Sequence, residues 1–401
     1  MKKIVLITTT QPAANPRLVK EADTFAAQGY DVTVLYCFVA DWAQEKDKFI
    51  LKNALWKSKQ IGGCNKSSSA YFFTALKFAF YKFINKTFTG NFFCEQAHTR
   101  CYSLLLREAI KLNADWYIGH NPGAMGVAAN ASTHTRAKAG FDFEDYHRGE
   151  YADKKDFLFK RQVFLENKYF RDFYYISTSS PLITEKILRD FKDSKIPVIT
   201  LLNTFSLKDQ PVFRKSRNDD ILKLFWMGQH LGKDRGLENV ILALKELNDP
   251  LIQLTLVGNC TKEMYDYFMK LSENIAANIH FTGIIAPEYL PKFAAAHDIG
   301  LALELSLPEN RNICLTNKIF TYLLAGNAII FSETDAQLQF NLKYNAGFLF
   351  PPTNVSKLKN IILYYKDQQQ LLRIRKSNHL LAAQSLNWEI ESMPLNDIIA
   401  V

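Results

Sequence analysis

The sequence has 401 residues, of which 48% are hydrophobic and 22% are charged. At about 150 residues per domain this length predicts two or three domains, and the composition excludes a disordered or fibrous protein. No apolar run approaches the roughly 18 residues of a membrane-spanning helix. The two lysines and the short apolar run at the N-terminus do not have the pattern of a secretory signal.

The net charge of +9 is concentrated in one segment. From Lys48 to Cys94 the chain has eight lysines and no acidic residue, and the remainder is close to neutral. General basicity therefore gives no argument for nucleic-acid binding. The six cysteines are scattered and include no Cys-x-x-Cys pair, which predicts reduced, buried thiols in the cytoplasm rather than disulfides or a zinc site.

The first half of the chain alternates apolar runs with amphipathic segments. A β-branched run at 3–9, an amphipathic segment at 17–28 and a second apolar run at 31–37 predict a βαβ unit and hence a parallel sheet. Further strands are predicted at 115–119, 140–144 and 174–178. A basic, aromatic insertion at 48–94 interrupts this alternation.

A polar, aperiodic stretch at 203–220 predicts a linker, after which strands and helices alternate again. Strands are predicted at 221–228, 251–258, 278–283, 298–304 and 327–332, and a helix is predicted at 236–247. The sequence therefore predicts an α/β protein with two Rossmann-like, doubly wound parallel-sheet domains that face a cleft. The predicted domains are residues 1–205 and 206–380, with residues 381–401 forming a C-terminal helix that packs back on the first domain.

Two loops of the second half are candidates for an anion site. Ligands of open parallel sheets bind beyond the carboxyl ends of strands, where helix N-termini favour negative charge. The loop after 221–228 offers Gly228, Lys233, Arg235 and Gly236, and glycine lets a phosphate approach the backbone while the cations neutralise it. An ordinary loop with solvated cations would have the same pattern. A second helix opens with Asn317-Lys318 and is expected to face the same cleft.

Acidic residues and a histidine follow the predicted strand at 140–144. Asp142, Glu144, Asp145 and His147 would bind the hydroxyls of an acceptor or set a general base. A metal site has no support beyond composition, and a helix N-terminus rich in acids is the structural alternative. We favour the acceptor-side role because the cluster follows a parallel strand.

The segment 70–86 is both aromatic and basic. At 100° per residue, one wholly apolar arc contains Phe72, Phe73, Leu76, Ala79, Phe80, Phe83 and Ile84. Three lysines and three aromatic residues share the opposite side. This pattern favours a helix that lies on an anionic membrane or beside a lipid-linked acceptor. The second alternative is a core helix whose apolar arc packs on the domain. The third is a helix that binds single-stranded nucleic acid.

Several motifs, in order along the chain, resemble the retaining glycosyltransferases of family four, which have the GT-B fold. The similar stretches are the strand, glycine, basic loop and Gly-Leu-Glu-Asn helix at 226–240, LVGNC at 256–260, residues 279–303, and Asn-Lys-Ile-Phe-x-Tyr-x-x-Ala-Gly at 317–326. Residues 10–36 and 116–130 are similar more loosely. Each motif alone is weak, and their shared order gives the resemblance its specificity.

The resemblance implies roles for individual residues. It places the donor's diphosphate at Gly228, Lys233 and Arg235, and it places His120 near the donor sugar. Without the resemblance, a structural histidine is an equal alternative for His120. Further donor contacts are expected at Gln229, Gly236, Gly258, Glu304, Asn317, Lys318 and Thr321.

This sequence departs from the family's pattern at four positions, and the first is Arg235, which stands where a Lys is usual. Gln229 stands where the family often has Arg, so either one cation is missing or Lys233 supplies it. Ile313 and Thr321 replace the family's two glutamates, and Glu304 would take part of that carboxylate role.

The implied function is retaining transfer of a sugar from a nucleotide-diphosphate donor to a growing, lipid-linked surface glycan or polysaccharide. No cofactor or obligatory metal is expected, and neither is a nucleic-acid partner. The protein would be cytoplasmic and peripheral on the inner face of an anionic membrane. A non-catalytic sugar-nucleotide or glycan-binding module and a sugar-nucleotide epimerase are the alternatives. A dehydrogenase is disfavoured because the loop after the first strand lacks Gly-x-Gly-x-x-Gly.

Overall fold

The computed structural model describes residues 1–88, 91–215 and 220–401. The chain divides into two compact units, of which the first comprises Met1–Leu201 with Ser392–Val401 and the second comprises Leu202–Glu391. The segment predicted as a C-terminal helix is therefore divided between the two units. Residues 216–219 of the predicted linker lie outside the described residues, as do residues 89–90 of the basic insertion.

The strands and α-helices are numbered separately, in chain order, over the described residues. The strands β1 to β13 are Lys3–Thr8, Asp31–Cys37, Lys57–Ile61, Trp116–His120, Lys138–Phe143, Tyr175–Thr178, Val198–Thr200, Leu222–His230, Ile252–Asn259, Ile279–Gly283, Ile299–Ala302, Ala328–Ser332 and Gly347–Phe350. The helices α1 to α18 are Pro16–Ala27, Trp42–Asn53, Ser69–Thr87, Cys94–His98, Tyr102–Leu112, Pro122–Thr135, Phe157–Tyr169, Pro181–Asp190, Leu237–Leu247, Lys262–Ser272, Leu290–Ala294, Glu309–Ile313, Asn317–Ala325, Asp335–Tyr344, Val355–Tyr364, Gln368–Gln384, Trp388–Glu391 and Met393–Ala400.

The first βαβ unit follows from local sequence signals. β1 is rich in β-branched residues, which suit a buried parallel strand. Pro16 occupies the first helical position of α1, and the Asn15 side chain accepts a hydrogen bond of 3.1 Å from the Leu18 amide. Gly29, at a φ of +85°, turns the chain after the helix so that β2 can run parallel to β1.

The first unit is built on a seven-stranded sheet in the order β3-β2-β1-β4-β5-β6-β7, and all neighbouring strands are parallel. One core of this unit lies between the sheet, α1 and α18, and includes Leu6, Leu18, Trp116, Leu395 and Ile399. α18 therefore completes the core of the first unit although it comes last in the sequence.

The second unit is built on a six-stranded parallel sheet in the order β10-β9-β8-β11-β12-β13. Its core includes Trp226, Val240, Leu254, Ile330 and Ile362. In each sheet the chain order reverses beside the unit's first strand. The structure thus confirms two Rossmann-like, doubly wound parallel-sheet units.

Three strands of these sheets are not predicted by the sequence patterns. β3 is an edge strand with exposed lysines, so it lacks the apolar run of a buried strand. β7 and β13 are also edge strands and have only three and four residues. Periodicity over so few residues does not distinguish a strand from a loop.

The basic aromatic helix, α3, buries polar side chains and exposes large apolar ones, which is the reverse of a core helix. Thr74 and Asn85, both polar, are its buried residues. The Asn85 amide donates to the Phe92 carbonyl at 2.9 Å and to Cys94 Sγ at 3.4 Å, and Arg100 donates to the Thr74 hydroxyl. The exposed large side chains of the helix are Phe72, Phe73, Leu76, Phe80 and Phe83. The alternative in which the apolar arc packs on the domain is therefore wrong, because polar contacts hold the opposite face.

All six cysteines are free, and Cys64 is exposed, which corrects the expectation that every thiol is buried. Within the described part of the chain, no helix combines the length and the apolarity needed to cross a bilayer.

Candidate active site

The loops that carry the second unit's predicted site residues begin at the carboxyl ends of two neighbouring strands. β8 and β11 pair in the sheet, while β9 and β10 lie on the other side of β8. The connections that follow β8 and β11 therefore diverge, which leaves a crevice of the kind where doubly wound sheets bind ligands. Gly228 lies near the carboxyl end of β8, and Glu304 follows β11.

Glycines allow the backbone segments at this edge to approach each other closely. Gly258 has a φ of +150°, and a Cβ there would lie 2.5 Å from the Gly228 carbonyl oxygen. Gly236 precedes α9 at a φ of +73°, and a Cβ there would lie 3.6 Å from Leu303 Cβ. The N-cap residue of α9 is Gly236, and none of the described side chains caps the helix, so its first amides are open to an anion.

Two cations stand on the turn between β8 and α9. Lys233 is exposed, with its Nζ atom 4.7 Å from the centre of the Tyr267 ring. Arg235 is partly buried. Among the described side chains, neither cation has a carboxylate partner. Gln229, on the same connection, is exposed. The structure thus brings the predicted diphosphate-binding residues to one uncapped helix start.

Glu304 and Lys318 form an ion pair at the same edge of the sheet. Glu304 is buried, and its amide donates to Ser332 Oγ at 3.0 Å. Lys318 Nζ also lies 3.5 Å from the Leu303 carbonyl oxygen. Asn317 is exposed in the first turn of α13. The sequence patterns place both partners of this ion pair in the site but do not predict that they pair.

The structure corrects the expected role of Thr321. Its side chain is buried, and its hydroxyl donates to the Asn317 carbonyl within α13 at 3.1 Å. Ile313, at the other glutamate position of the family's pattern, is buried as well. Neither residue presents a polar group to a donor, because helix packing turns both towards the interior.

A row of polar side chains crosses the carboxyl edge of the first sheet. Thr8, His120, Asp142 and Ser177 are register partners on the adjacent strands β1, β4, β5 and β6. All four are buried, and Ser177 Oγ donates to Asp142 Oδ1 at 2.7 Å.

Two charged residues of α1 cover this row. Arg17 Nε donates to Asp142 Oδ2 at 2.7 Å, and its Nη1 donates to the Leu201 carbonyl at 2.7 Å. Glu21 Oε2 lies 3.2 Å from His120 Nε2, and His120 Nδ1 lies 3.5 Å from Asp142 Oδ2. Sequence reasoning missed Arg17 and Glu21. The available signal was their spacing of four residues beside Leu18, on the side of the helix that the pattern predicts to be buried.

The expected contact of His120 with a donor sugar is corrected by these ion pairs. The ring is 1% exposed, and both of its nitrogens face carboxylates. Burial alone would lower the pKa of His120, but the neighbouring carboxylates of Glu21 and Asp142 raise it to about 9. Asp142 is equally enclosed, and Arg17 and His120 hold its pKa well below the usual range despite burial. Its acceptor-side role is corrected too, to that of a structural counter-ion.

Glu21, His120 and Asp142 have ligand atoms within 4.8 Å of one another, so their geometry alone would suit a metal ion. Their charges argue against one. Arg17 and the protonated His120 together balance the two carboxylates, and an ion would have to displace the His120 proton beside Arg17. We therefore assign these residues a structural role at the carboxyl edge of the first sheet.

The other predicted acceptor-side residues have different surroundings. Glu144 and Asp145 are partly exposed. Burial, followed by the charges of Asp145 and Asp142, raises the pKa of Glu144 to about 7. His147 is buried, and its Nδ1 lies 2.9 Å from Glu150 Oε1. The structure thus leaves Glu144 and Asp145 partly exposed and encloses His147.

Comparison with known proteins gives fold-level similarities. No family model and no curated protein matches the sequence. HepE from Anabaena, solved with UDP and glucose, is 16% identical, with 100% of both chains covered and a TM-score of 0.71. Sucrose-phosphate synthase from Thermosynechococcus elongatus is 14% identical, with 100% of this chain and 98% of that chain covered and a TM-score of 0.71. WaaG, a glycosyltransferase involved in lipopolysaccharide biosynthesis, is 12% identical over 99% of each chain, with a TM-score of 0.63. These similarities, together with the two doubly wound units, show that the chain has the GT-B fold of glycosyltransferases.

Proposed function

We propose that the chain is a glycosyltransferase that moves a sugar from a nucleoside diphosphate to a growing, lipid-linked surface glycan. One observation carries the proposal. The uncapped start of α9, with Lys233 and Arg235 beside it, lies at the strand-order reversal of the second sheet. Backbone amides and two cations at such a position suit a diphosphate.

The similar proteins support the choice of donor class. HepE has been solved with UDP and with UDP-glucose. Uridine diphosphate sugars are therefore the first donors to test. Glu304, although paired with Lys318, is the carboxylate we propose for the role that Thr321 and Ile313 cannot fill.

The proposed chemistry needs no nucleophile from the protein. The bond between the anomeric carbon and the diphosphate oxygen breaks, and the acceptor hydroxyl bonds to the same carbon from the same face. The hydroxyl proton passes to the departing diphosphate, and the configuration is retained. Lys233, Arg235 and the α9 amides would stabilise the charge that develops on the leaving group. Because these groups belong to the chain, we expect turnover to persist in EDTA.

The exposed arc of α3 supports a membrane-bound acceptor. Phe72, Phe80 and Phe83 are each more than half exposed, and Lys77, Lys82 and Lys86 lie on the same helix. Aromatic side chains beside lysines suit a helix lying in the interface of an anionic bilayer. We therefore propose peripheral attachment to the membrane that holds the lipid-linked acceptor.

A panel of nucleoside diphosphates and their sugars tests this function. We expect one base to raise the melting temperature, and its sugar nucleotide to be consumed when lipid extracts supply acceptors. NMR of the product would show the anomeric configuration of the donor. Tight binding without turnover would instead identify a binding module, and conversion of free donor into an isomer would identify an epimerase. Either result would overturn the proposal.

A further inference from the structure

Arg161, in α7, is a buried cation without a carboxylate partner among the described residues. It is 9% exposed, and its Nε atom is buried without a hydrogen bond. Among the described residues it makes no ion pair, and its guanidinium carbon lies 5.6 Å from the centre of the Phe157 ring. Burying a guanidinium N–H without an acceptor is costly, because that donor loses its hydration. A negatively charged group beside Arg161 would satisfy this donor.

Two histidines from other segments lie close to this cation. His98 is the last residue of α4, and its Nδ1 is buried without a partner. His147 follows β5, and its Nε2 is likewise buried without a partner. Burial, together with the charges of Arg161 and His147, lowers the pKa of His98 to about 3. α4 and the turn at His147–Glu150 both contact α7, so the three side chains lie in one neighbourhood, and each has an unused nitrogen.

The surrounding carboxylates are engaged elsewhere. Glu95 accepts from Lys168 at 2.6 Å and from Tyr169. Glu166 accepts from Gln162 at 2.7 Å and from Arg148.

Glu150 pairs with His147 through Nδ1 and not through the unused Nε2. None of these contacts involves Arg161, whose charge therefore has no carboxylate partner among the described residues.

We propose that Arg161, His98 and His147 bind a phosphate-type oxyanion carried by the acceptor. That the oxyanion belongs to the acceptor rests on the proposed function. That the site binds an oxyanion rests on the unpaired nitrogens. A planar guanidinium flanked by imidazoles matches the oxygens of a phosphate or diphosphate. Of these three residues, only His147 is among the acceptor-side residues that the sequence predicts.

The position of the cluster relative to α3 favours an acceptor held in a bilayer. α4, which carries His98, is joined to α3 through Asn85 and Cys94, and the Tyr81 and Phe93 rings lie 5.1 Å apart. The apolar arc of α3 faces outward from the same region. A diphosphate that links a lipid to a glycan would enter this neighbourhood from the membrane surface.

Histidine NMR tests the site without relying on transfer activity. We expect millimolar inorganic pyrophosphate to shift the ring signals of His98 and His147 and to raise the pKa of His98. Arg161→Gln should weaken this binding about tenfold to a hundredfold, since it removes charge-assisted hydrogen bonds. The variant should melt no lower than the wild type, because it removes an uncompensated buried charge. A purely structural Arg161 would instead give a lower melting temperature.

Lys160→Gln is the matched control, since it removes an equal but exposed charge from the same helix. It should leave the His98 and His147 shifts intact. No shift in the wild type, or an equal loss in both variants, would overturn the proposal. These signals belong to the first unit, so failure of the donor chemistry would leave them unchanged.

Lipid probes identify the source of the oxyanion. Farnesyl diphosphate in detergent should produce the same shifts at lower concentration than pyrophosphate. Nanodiscs of phosphatidylglycerol should leave His98 and His147 unshifted even where they bind α3. Shifts with phosphatidylglycerol but not with either diphosphate would assign the site to bulk headgroups and overturn its assignment to the acceptor.

Discussion

Arg235 and Lys233 lie on one turn, but their surroundings predict unequal contributions. Arg235 is partly buried, whereas Lys233 is exposed and lies over the Tyr267 ring. We expect Arg235→Ala to lower turnover about thirtyfold to a thousandfold, which corresponds to roughly 2–4 kcal/mol of transition-state stabilisation. Lys233→Ala should have a smaller effect, because water screens its charge.

Steady-state kinetics with the donor found in the nucleotide panel checks this prediction. Lys245→Ala is the control, since it removes a lysine from the last turn of α9, where Lys245 pairs with Glu273. Wild-type turnover in both Arg235→Ala and Lys233→Ala would show that the diphosphate binds elsewhere.

The buried pairs of His120 predict a pH-dependent stability. Its pKa is raised from 6.5 to about 9, so the protonated ring stabilises the folded state. This contribution is fully present below about pH 6.5 and is lost as the pH rises through about 9. We expect the difference in unfolding free energy between the wild type and His120→Gln to shrink over this window. Urea unfolding at a series of pH values measures it, and a constant difference would contradict the assigned ion pairs.

At the scale of elements, the close approach of the β8 and β9 ends depends on one glycine. Gly258→Ala would place Cβ against the Gly228 carbonyl at a positive φ, which we expect to cost at least about 1–3 kcal/mol. Gly232→Ala is the control, because Gly232 is extended with no atom within 4 Å of its added Cβ. Its stability should be unchanged or slightly higher. Denaturant titration compares the two, and equal stabilities would refute the tight packing of these strand ends.

The orientation of α3 predicts how a membrane would be bound. Replacing Phe72, Phe80 and Phe83 with Ser should abolish binding to anionic vesicles at low and high salt, because insertion of apolar side chains is lost. Replacing the helix's three exposed lysines with Glu should weaken binding mainly at low salt, since each lysine contributes about 1 kcal/mol that salt screens.

Vesicle co-sedimentation measures both effects. Leu342→Ser is the control, since Leu342 is 77% exposed but lies in the second unit. A wild-type protein that ignores anionic vesicles at low salt would refute membrane attachment. Vesicle binding that survives the Phe substitutions while the oligomeric state changes would identify the arc as a protein interface.

At the scale of the whole molecule, the first unit depends on both ends of the chain. Leu395 and Ile399 of α18 are fully buried in its core, and Lys2 Nζ donates to the Ile399 carbonyl at 3.1 Å. We expect Leu395→Ala to cost about 2–5 kcal/mol. Met393→Ala, at an exposed neighbour in the same helix, should cost almost nothing.

Scanning calorimetry with and without UDP separates the two units in this experiment. The transition that the nucleotide does not shift should move to lower temperature in Leu395→Ala, because α18 belongs to the first unit. If the nucleotide-shifted transition moved instead, the assignment of α18 to the first unit would be wrong.

The sequence alone determines the fold class and the position of the loop that we propose binds the donor. Alternating apolar runs and glycine turns predict two doubly wound sheets, since parallel strands need buried faces and helical crossovers. The loop with Gly228, Lys233 and Arg235 is found in the same way, because chain order fixes which loop follows which strand end. These signals are local, so they can be read without knowledge of the packing.

Only the tertiary structure decides which buried polar groups have hydrogen-bond or ion-pair partners. His120 and Asp142 stand at strand ends in the sequence, but Arg17 and Glu21, from a distant segment, enclose them. No sequence pattern singles out Arg161, yet in the folded chain its Nε atom is buried without a hydrogen bond. The arc of α3 has the pattern of a core helix, and contacts of Asn85 and Thr74 with other segments turn it outward. Burial and pairing depend on residues far apart in the chain, which no local pattern encodes.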